Sequence, residues 1–195
     1  PPLTNDFWII KVDTAGNKQW DKRYGGTDED ELQCIRRTID GGYLLGGRSS
    51  SNVSGDNTQP TWGAYDFWII KIDSVGNKQW DKRYGSVYND ELSTLEQTND
   101  GGYILGGISD WYASGDKSQN SCGFGDYWIV KIDSIGNKEW DKVYGGTYDE
   151  DEFSAIIKTC DGGYLLSGCS YSDSTCNKTE HNLGQEQAWL VKIDS

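Results

Sequence analysis

The sequence predicts an all-β chain of β-propeller blades, four-stranded antiparallel meanders repeated about three times and belonging to a larger propeller; three observations carry this. A block of twenty residues, DFWIIKVDTAGNKQWDKRYG from Asp6 to Gly25, returns from Asp66 to Gly85 with 17 of 20 positions identical and again from Asp126 to Gly145. The period is 66 − 6 = 60. A second block, Asp40-Gly41-Gly42-Tyr43, recurs at Asp100 and at Asp161, the last spacing being 61 because one residue enters the acidic loop around Tyr148 to Asp151. Finally, every segment between turn residues is too short and too weakly helical in its periodicity to be a helix. One repeat array therefore fills the chain: repeat 1 over 6–65, repeat 2 over 66–125, repeat 3 over 126–186, and the start of a fourth over 187–195, where Ala188 and Trp189 reopen the first block.

Each repeat contributes four strands. Glu91 to Thr98 (ELSTLEQT) is the first, and the Asn99-Asp100-Gly101-Gly102 turn leads into Tyr103 to Ser109 (YILGGIS), since Asp-Gly and Gly-Gly supply the positive φ of tight hairpins. A long polar loop follows. Tyr127 to Ile132 (YWIVKI) then reads as a strand buried on both faces. The turn Asp133-Ser134-Ile135-Gly136-Asn137 reverses the chain into Lys138 to Tyr144 (KEWDKVY), whose charges suit a solvent-facing edge. Such a polar outer strand in every unit, and a 60-residue period, distinguish blades from the coils of a β-solenoid, usually about 20 to 30 residues long.

Composition narrows the function. There are 18 Lys plus Arg against 31 Asp plus Glu, so the net charge is 18 − 31 = −13. A nucleic-acid partner and a polybasic membrane anchor both need clustered cations that are missing here. No apolar run approaches the roughly 20 residues of a membrane helix, so membrane insertion is not expected. Nine Trp, 12 Tyr and 4 Phe give an aromatic core that an acidic disordered chain lacks.

The succession D-x-W-[IL]-[IV]-K-[IV]-D-[ST]-x-G-N-x-x-W, then Y-G-G, D-E and D-G-G-Y-[IL]-L-x-G, resembles the bacterial β-propeller repeat family, whose units read K-x-D-x-x-G, G-G, D, D-x-x-G and x-G. It is similar above all to the tandem repeats of large secreted surface proteins exported by the type IX pathway. The resemblance covers Asp6 to Asp194 and implies a blade with ELSTLEQT innermost, followed by YILGGIS, DYWIVKID and KEWDKVY. In that register the chain opens on an orphan strand pair, holds two whole blades and ends on three strands. The expectation is therefore a segment of a longer chain, or a subunit completed by other copies, because propellers close with four to eight blades.

Chemistry is sought in the loops. His181 is the single histidine, which precludes a repeated nucleophilic triad or a multi-histidine zinc site and suits a solvated loop residue. Carboxylate pairs recur in every repeat, whereas a glycoside hydrolase needs one distinctive pair, so no catalytic residue is assigned. The acidic loops before the innermost strands, with Asp30, Glu31, Asp90, Glu91, Asp151 and Glu152, would converge near the propeller axis; converging carboxylates suit Ca²⁺, and turn aspartates equally suit backbone amides. Long loops at 49–65, 109–125 and 170–187 project from the same face. Trp62, Tyr65, Trp111 and Tyr112 are their candidate ligand-binding residues, because exposed rings beside Asp, Asn and Gln take sugars; the same rings would also serve to cap blade edges. The exposed turns at Thr14, Ser74 and Ser134 resemble the Asp-Ser/Thr-aliphatic acceptor of O-glycosylation in bacteria with type IX export, and ordinary turn chemistry explains them as well. Five cysteines leave at least one without a partner in the chain, and Cys122 and Cys176, in loops of neighbouring repeats, are the candidate disulfide.

Together these features lead to the expectation of a non-enzymatic extracellular or cell-surface module acting in binding or adhesion. A glycan or surface protein, and further blades from the same or other chains, are its expected partners, with Ca²⁺ as a possible cofactor. A structural spacer in a larger surface complex is the alternative, and a glycoside hydrolase-like enzyme a more distant one.

Overall fold

A computed structural model describes residues 4–147 and 151–194. Among the described residues there are thirteen strands and no helix. A two-stranded sheet holds β1 (Phe7–Val12) and β2 (Lys18–Tyr24). Two four-stranded antiparallel meanders follow. The first is β3 (Asp30–Arg37), β4 (Tyr43–Ser49), β5 (Asp66–Ile72) and β6 (Lys78–Tyr84). The second is β7 (Asp90–Gln97), β8 (Tyr103–Asp110), β9 (Gly125–Ile132) and β10 (Lys138–Tyr144). The last sheet has three strands, β11 (Glu152–Lys158), β12 (Tyr164–Ser170) and β13 (Gln187–Ile193).

Local chemistry fixes these hairpins. In the turn after β3, the Asp40 carboxylate accepts the Gly42 amide at 3.0 Å, and Gly41 takes φ +83° between them. In the turn after β5, Asp73 Oδ1 accepts the amides of Val75 and Asn77 at 2.9 and 2.8 Å. A bulge between Leu32 and Cys34 recurs between Leu92 and Thr94 and between Phe153 and Ala155. It drives the Glu31 carbonyl toward β4, where a Cβ on Gly47 would lie 1.9 Å from that oxygen. The second glycine of the Gly-Gly pair is therefore sterically required.

The sheets pack face to face through three apolar clusters. Phe7 meets Trp68 with ring centroids 4.9 Å apart, Phe67 meets Trp128 at 4.9 Å, and Tyr127 meets Trp189 at 5.0 Å. The first strands of successive sheets, β3, β7 and β11, lie side by side. β5 and β9 are buried along their whole lengths, as a strand apolar on both faces should be. Their counterparts in the end sheets are more exposed, β1 burying Phe7 and Ile9 and β13 burying Trp189.

The charged strand departs from the expected solvent-facing edge. In β6 both Asp81 and Arg83 are buried, and in β10 Asp141 is buried. Asp81 accepts the Trp68 indole N–H at 3.2 Å, the Thr58 amide at 2.9 Å and Lys78 Nζ at 2.8 Å. Arg83 donates to Ser49 Oγ at 2.5 Å and lies 3.5 Å from Asp66. The loop residue Thr58 and the strand residues Trp68, Lys78, Ser49 and Asp66 supply partners that an alternation rule does not see.

Candidate functional site

The acidic residues before the first strands divide into two groups. Asp30, Asp90 and Asp151 are fully buried and point inward. Asp30 accepts the Gly26 amide at 2.7 Å, Asp90 the Ser86 amide at 2.6 Å, and Asp151 the Gly146 amide at 3.0 Å. Burial raises all three carboxyls, Asp90 up to about 7. Glu31 and Glu91 face outward, where Arg48 bridges them at 2.9 and 2.5 Å. Arg48 also lies over the Tyr65 ring, 4.6 Å from its centroid, and the Tyr65 hydroxyl donates to Glu29. The cluster thus carries its own cation. Among the described residues no group of three or more His, Cys, Asp or Glu has metal-holding spacing, and Asp149 and Glu150 of the third acidic loop lie outside the described residues.

The aromatic loop residues come together more closely. Trp111 packs against Phe124 with centroids 4.5 Å apart and against Tyr112 at 6.3 Å, and Tyr112 meets Tyr88 at 6.2 Å. Tyr112 is 58% exposed, Phe124 51% and Trp111 37%. The loop beneath is well fastened. The Trp111 amide donates to the Phe124 carbonyl at 2.9 Å, and the Ser121 amide to the Trp111 carbonyl at 2.7 Å. Lys117, 2% exposed, sends its ammonium to the carbonyls of Ser109, Asp110 and Trp111 and to the Ser121 hydroxyl, between 2.8 and 3.3 Å. Burial pushes this ammonium down to about 8. Trp111 itself has φ +51°, a left-handed backbone rarely adopted by a bulky residue and frequent at functional positions.

Trp62 stands apart from that group. Its indole lies against Gly115 and donates to Asp116 at 3.1 Å, so it latches the loop of one sheet to the loop of the next. Tyr65 belongs with Arg48 and Glu29 instead. Of the four ring residues singled out in the sequence, Trp111 and Tyr112 therefore share a surface, whereas the Trp62 ring reaches the loop of the next sheet and the Tyr65 ring meets Arg48 and Glu29 of its own. Phe124 and Tyr88 were missed; the available signal was Phe124 standing where repeat 1 has Ala64.

Cys122 and Cys176 form a disulfide with Cα atoms 6.5 Å apart. Cys34, Cys160 and Cys169 are free thiols. His181 is exposed; its Nδ1 lies 2.9 Å from Asp173 and 3.0 Å from the Ser174 hydroxyl. The same hydroxyl lies 3.4 Å from His181 Nε2. Thr14, Ser74 and Ser134 are exposed at hairpin turns whose aspartates accept the following amides.

No family model matches the chain. The chain is similar to the regulatory protein FlaEY of Caulobacter vibrioides, 31% identical over 97 residues that cover 47% of the chain and 10% of that protein. The chain thus spans about a tenth of the length of that curated relative.

Proposed function

We propose that the chain is a non-enzymatic, extracellular module of β-propeller blades that binds a glycan through the surface formed by Trp111, Tyr112 and Phe124. The observation that carries this reading is three exposed rings on one loop whose backbone is fastened from below by a buried lysine. A pyranose presents an apolar face that such rings cover, and a rigid loop avoids the ordering cost of binding. The blade reading is supported by the meander order of each sheet and by the adjacency of β3, β7 and β11. A disulfide between loops favours an oxidising compartment.

The test is a titration of tryptophan fluorescence against a broad panel of oligosaccharides. At least one member is expected to quench the signal, and Tyr112→Ala is expected to weaken it about tenfold, as roughly 1.4 kcal/mol of lost stacking would. A flat response across the panel would sink the proposal. A purely structural spacer is the second reading, favoured by the Trp62 latch on Gly115 and Asp116. It expects Trp111→Ala and Tyr112→Ala to alter neither binding nor assembly.

A further inference from the structure

Cys122 sits between the two residues that hold Trp111. The Ser121 amide donates to the Trp111 carbonyl at 2.7 Å, and the Trp111 amide donates to the Phe124 carbonyl at 2.9 Å, so both main-chain polar groups of Trp111 are tied to the short span from Ser121 to Phe124. The disulfide fastens that span to Cys176, 54 residues on in the loop of the following sheet. The neighbouring loops are built otherwise. In the preceding loop the positions of Trp111, Cys122 and Phe124 hold Ser51, Trp62 and Ala64, and in the following loop they hold Ser172, Leu183 and Gln185. The covalent tie and the exposed rings therefore meet in one loop.

Trp111 also needs to be held, because its φ of +51° persists only where the surroundings over-determine it. Both cysteines are exposed, and an exposed disulfide is the kind that a dithiol reduces readily. We propose that the Cys122–Cys176 bond is a redox gate on the face formed by Trp111, Tyr112 and Phe124, which binds tightly when the bond is closed and weakly when it is open; this rests on the glycan-binding reading above. Opening needs a dithiol reductant. One of its thiolates attacks a cysteine sulfur and displaces the other as a thiolate, which takes a proton; its second thiol then resolves the mixed disulfide, so the two cysteines gain two electrons and two protons and the reductant leaves as a disulfide. Lys117 still holds the loop from below, so the opened loop is slack rather than unfolded. Binding then has to order Trp111 and Phe124 itself, which weakens it about tenfold. The coupling is reciprocal, so a bound oligosaccharide protects the disulfide from reduction by the same factor.

The oligosaccharide panel, titrated by tryptophan fluorescence against the air-oxidised chain and again in dithiothreitol, tests the gate. Members that quench the oxidised chain are expected to bind the reduced chain about tenfold more weakly. Cys34, Cys160 and Cys169 are thiols in both conditions, so the difference reports the one bond. The double variant Cys122→Ser with Cys176→Ser is expected to bind as the reduced chain does, with or without dithiothreitol. A second measurement uses the parent alone: amide exchange at Trp111 is expected to quicken on reduction while β7 to β9 stay protected. Equal affinity in the two states overturns the gate and leaves the glycan reading standing, whereas a panel that fails to quench even the oxidised chain removes both. Unchanged exchange at Trp111, or a reduced chain that loses its β-sheet circular dichroism, also overturns the gate.

Discussion

Trp68 donates its indole N–H to Asp81 at 3.2 Å across β5 and β6, and Trp128 repeats the contact with Asp141 at 3.0 Å. The tryptophan gives its ring to the cluster between sheets while its one polar atom is met by a carboxylate from the neighbouring strand. That carboxylate is buried, and burial alone would raise it; Lys78, Thr58 and Trp68 outweigh the penalty and hold Asp81 below the usual carboxylate range. Trp8 and Asp21 form the same pair at 3.4 Å on an exposed sheet. One sequence feature thus recurs in two environments.

Asp81→Ala is expected to destabilise the protein by about 2 kcal/mol, because it leaves the buried Trp68 indole N–H without an acceptor and takes one partner from the Thr58 amide and one from Lys78, which keeps the Asp56 carbonyl. Asp21→Ala, at the exposed equivalent, is expected to leave the unfolding midpoint close to that of the parent, because water replaces the lost partners. Urea unfolding of the two variants side by side measures the difference.

Cys122 and Cys176 stand where the preceding interface has Trp62 and Gly115, since 122 − 62 = 60 and 176 − 115 = 61. Both linkages tie one loop to the next, and Cys176 keeps the left-handed backbone, φ +55°, that Gly115 adopts. Reducing the disulfide is expected to lower stability by up to about 4 kcal/mol for a loop of this length. The double substitution Cys122→Trp with Cys176→Gly, which copies the earlier latch, is expected to be more stable than the reduced parent in thermal unfolding.

Stability is expected to fall as pH rises from about 4 to about 7. Burial pushes Asp90 up to about 7 and Asp126 up to about 6, so the folded chain retains protons that the unfolded chain, with carboxyls near 4, has released. Asp40 runs the other way: Lys71 and Thr38 hold it down to about 2, so its contribution is present above about 4 and lost as pH falls toward 2. Asp90→Asn is expected to flatten the slope between pH 4 and 7 and leave the acid limb in place, as read from urea midpoints across pH.

Lys117→Met is expected to free the aromatic loop without unfolding the sheets. Its ammonium is the common donor to three carbonyls and a hydroxyl beneath Trp111, and methionine fills similar volume with no donor. Amide exchange at Trp111 and Ser121 is expected to quicken by about tenfold or more, with β7 to β9 unchanged. Equal exchange in parent and variant would show that Lys117 does not fasten the loop.

The sequence by itself determined the repeat, the strand order within each sheet and the turns. These rest on local rules: glycine where φ is positive, aspartate where turn amides need an acceptor, and apolar residues on both faces where a strand is covered twice. It also brought Trp111 and Tyr112 forward, because their rings interrupt an otherwise polar loop. Only the tertiary structure decided which side chains meet. Asp81 and Arg83 read as solvent-facing in a charged strand, but they are buried: Asp81 meets Lys78 of its own strand and the Thr58 amide of a loop, and Arg83 meets Ser49 and Asp66 at the ends of β4 and β5. Arg48 of β4 neutralises two glutamates from different sheets, a contact that spacing along the chain does not announce. Trp62, read both as a candidate ligand ring and as a cap on a blade edge, joins two loops, since its indole donates to Asp116, 54 residues further on. Spacing along the chain encodes hairpins; contacts between sheets depend on how those hairpins stack, and local patterning carries no record of that.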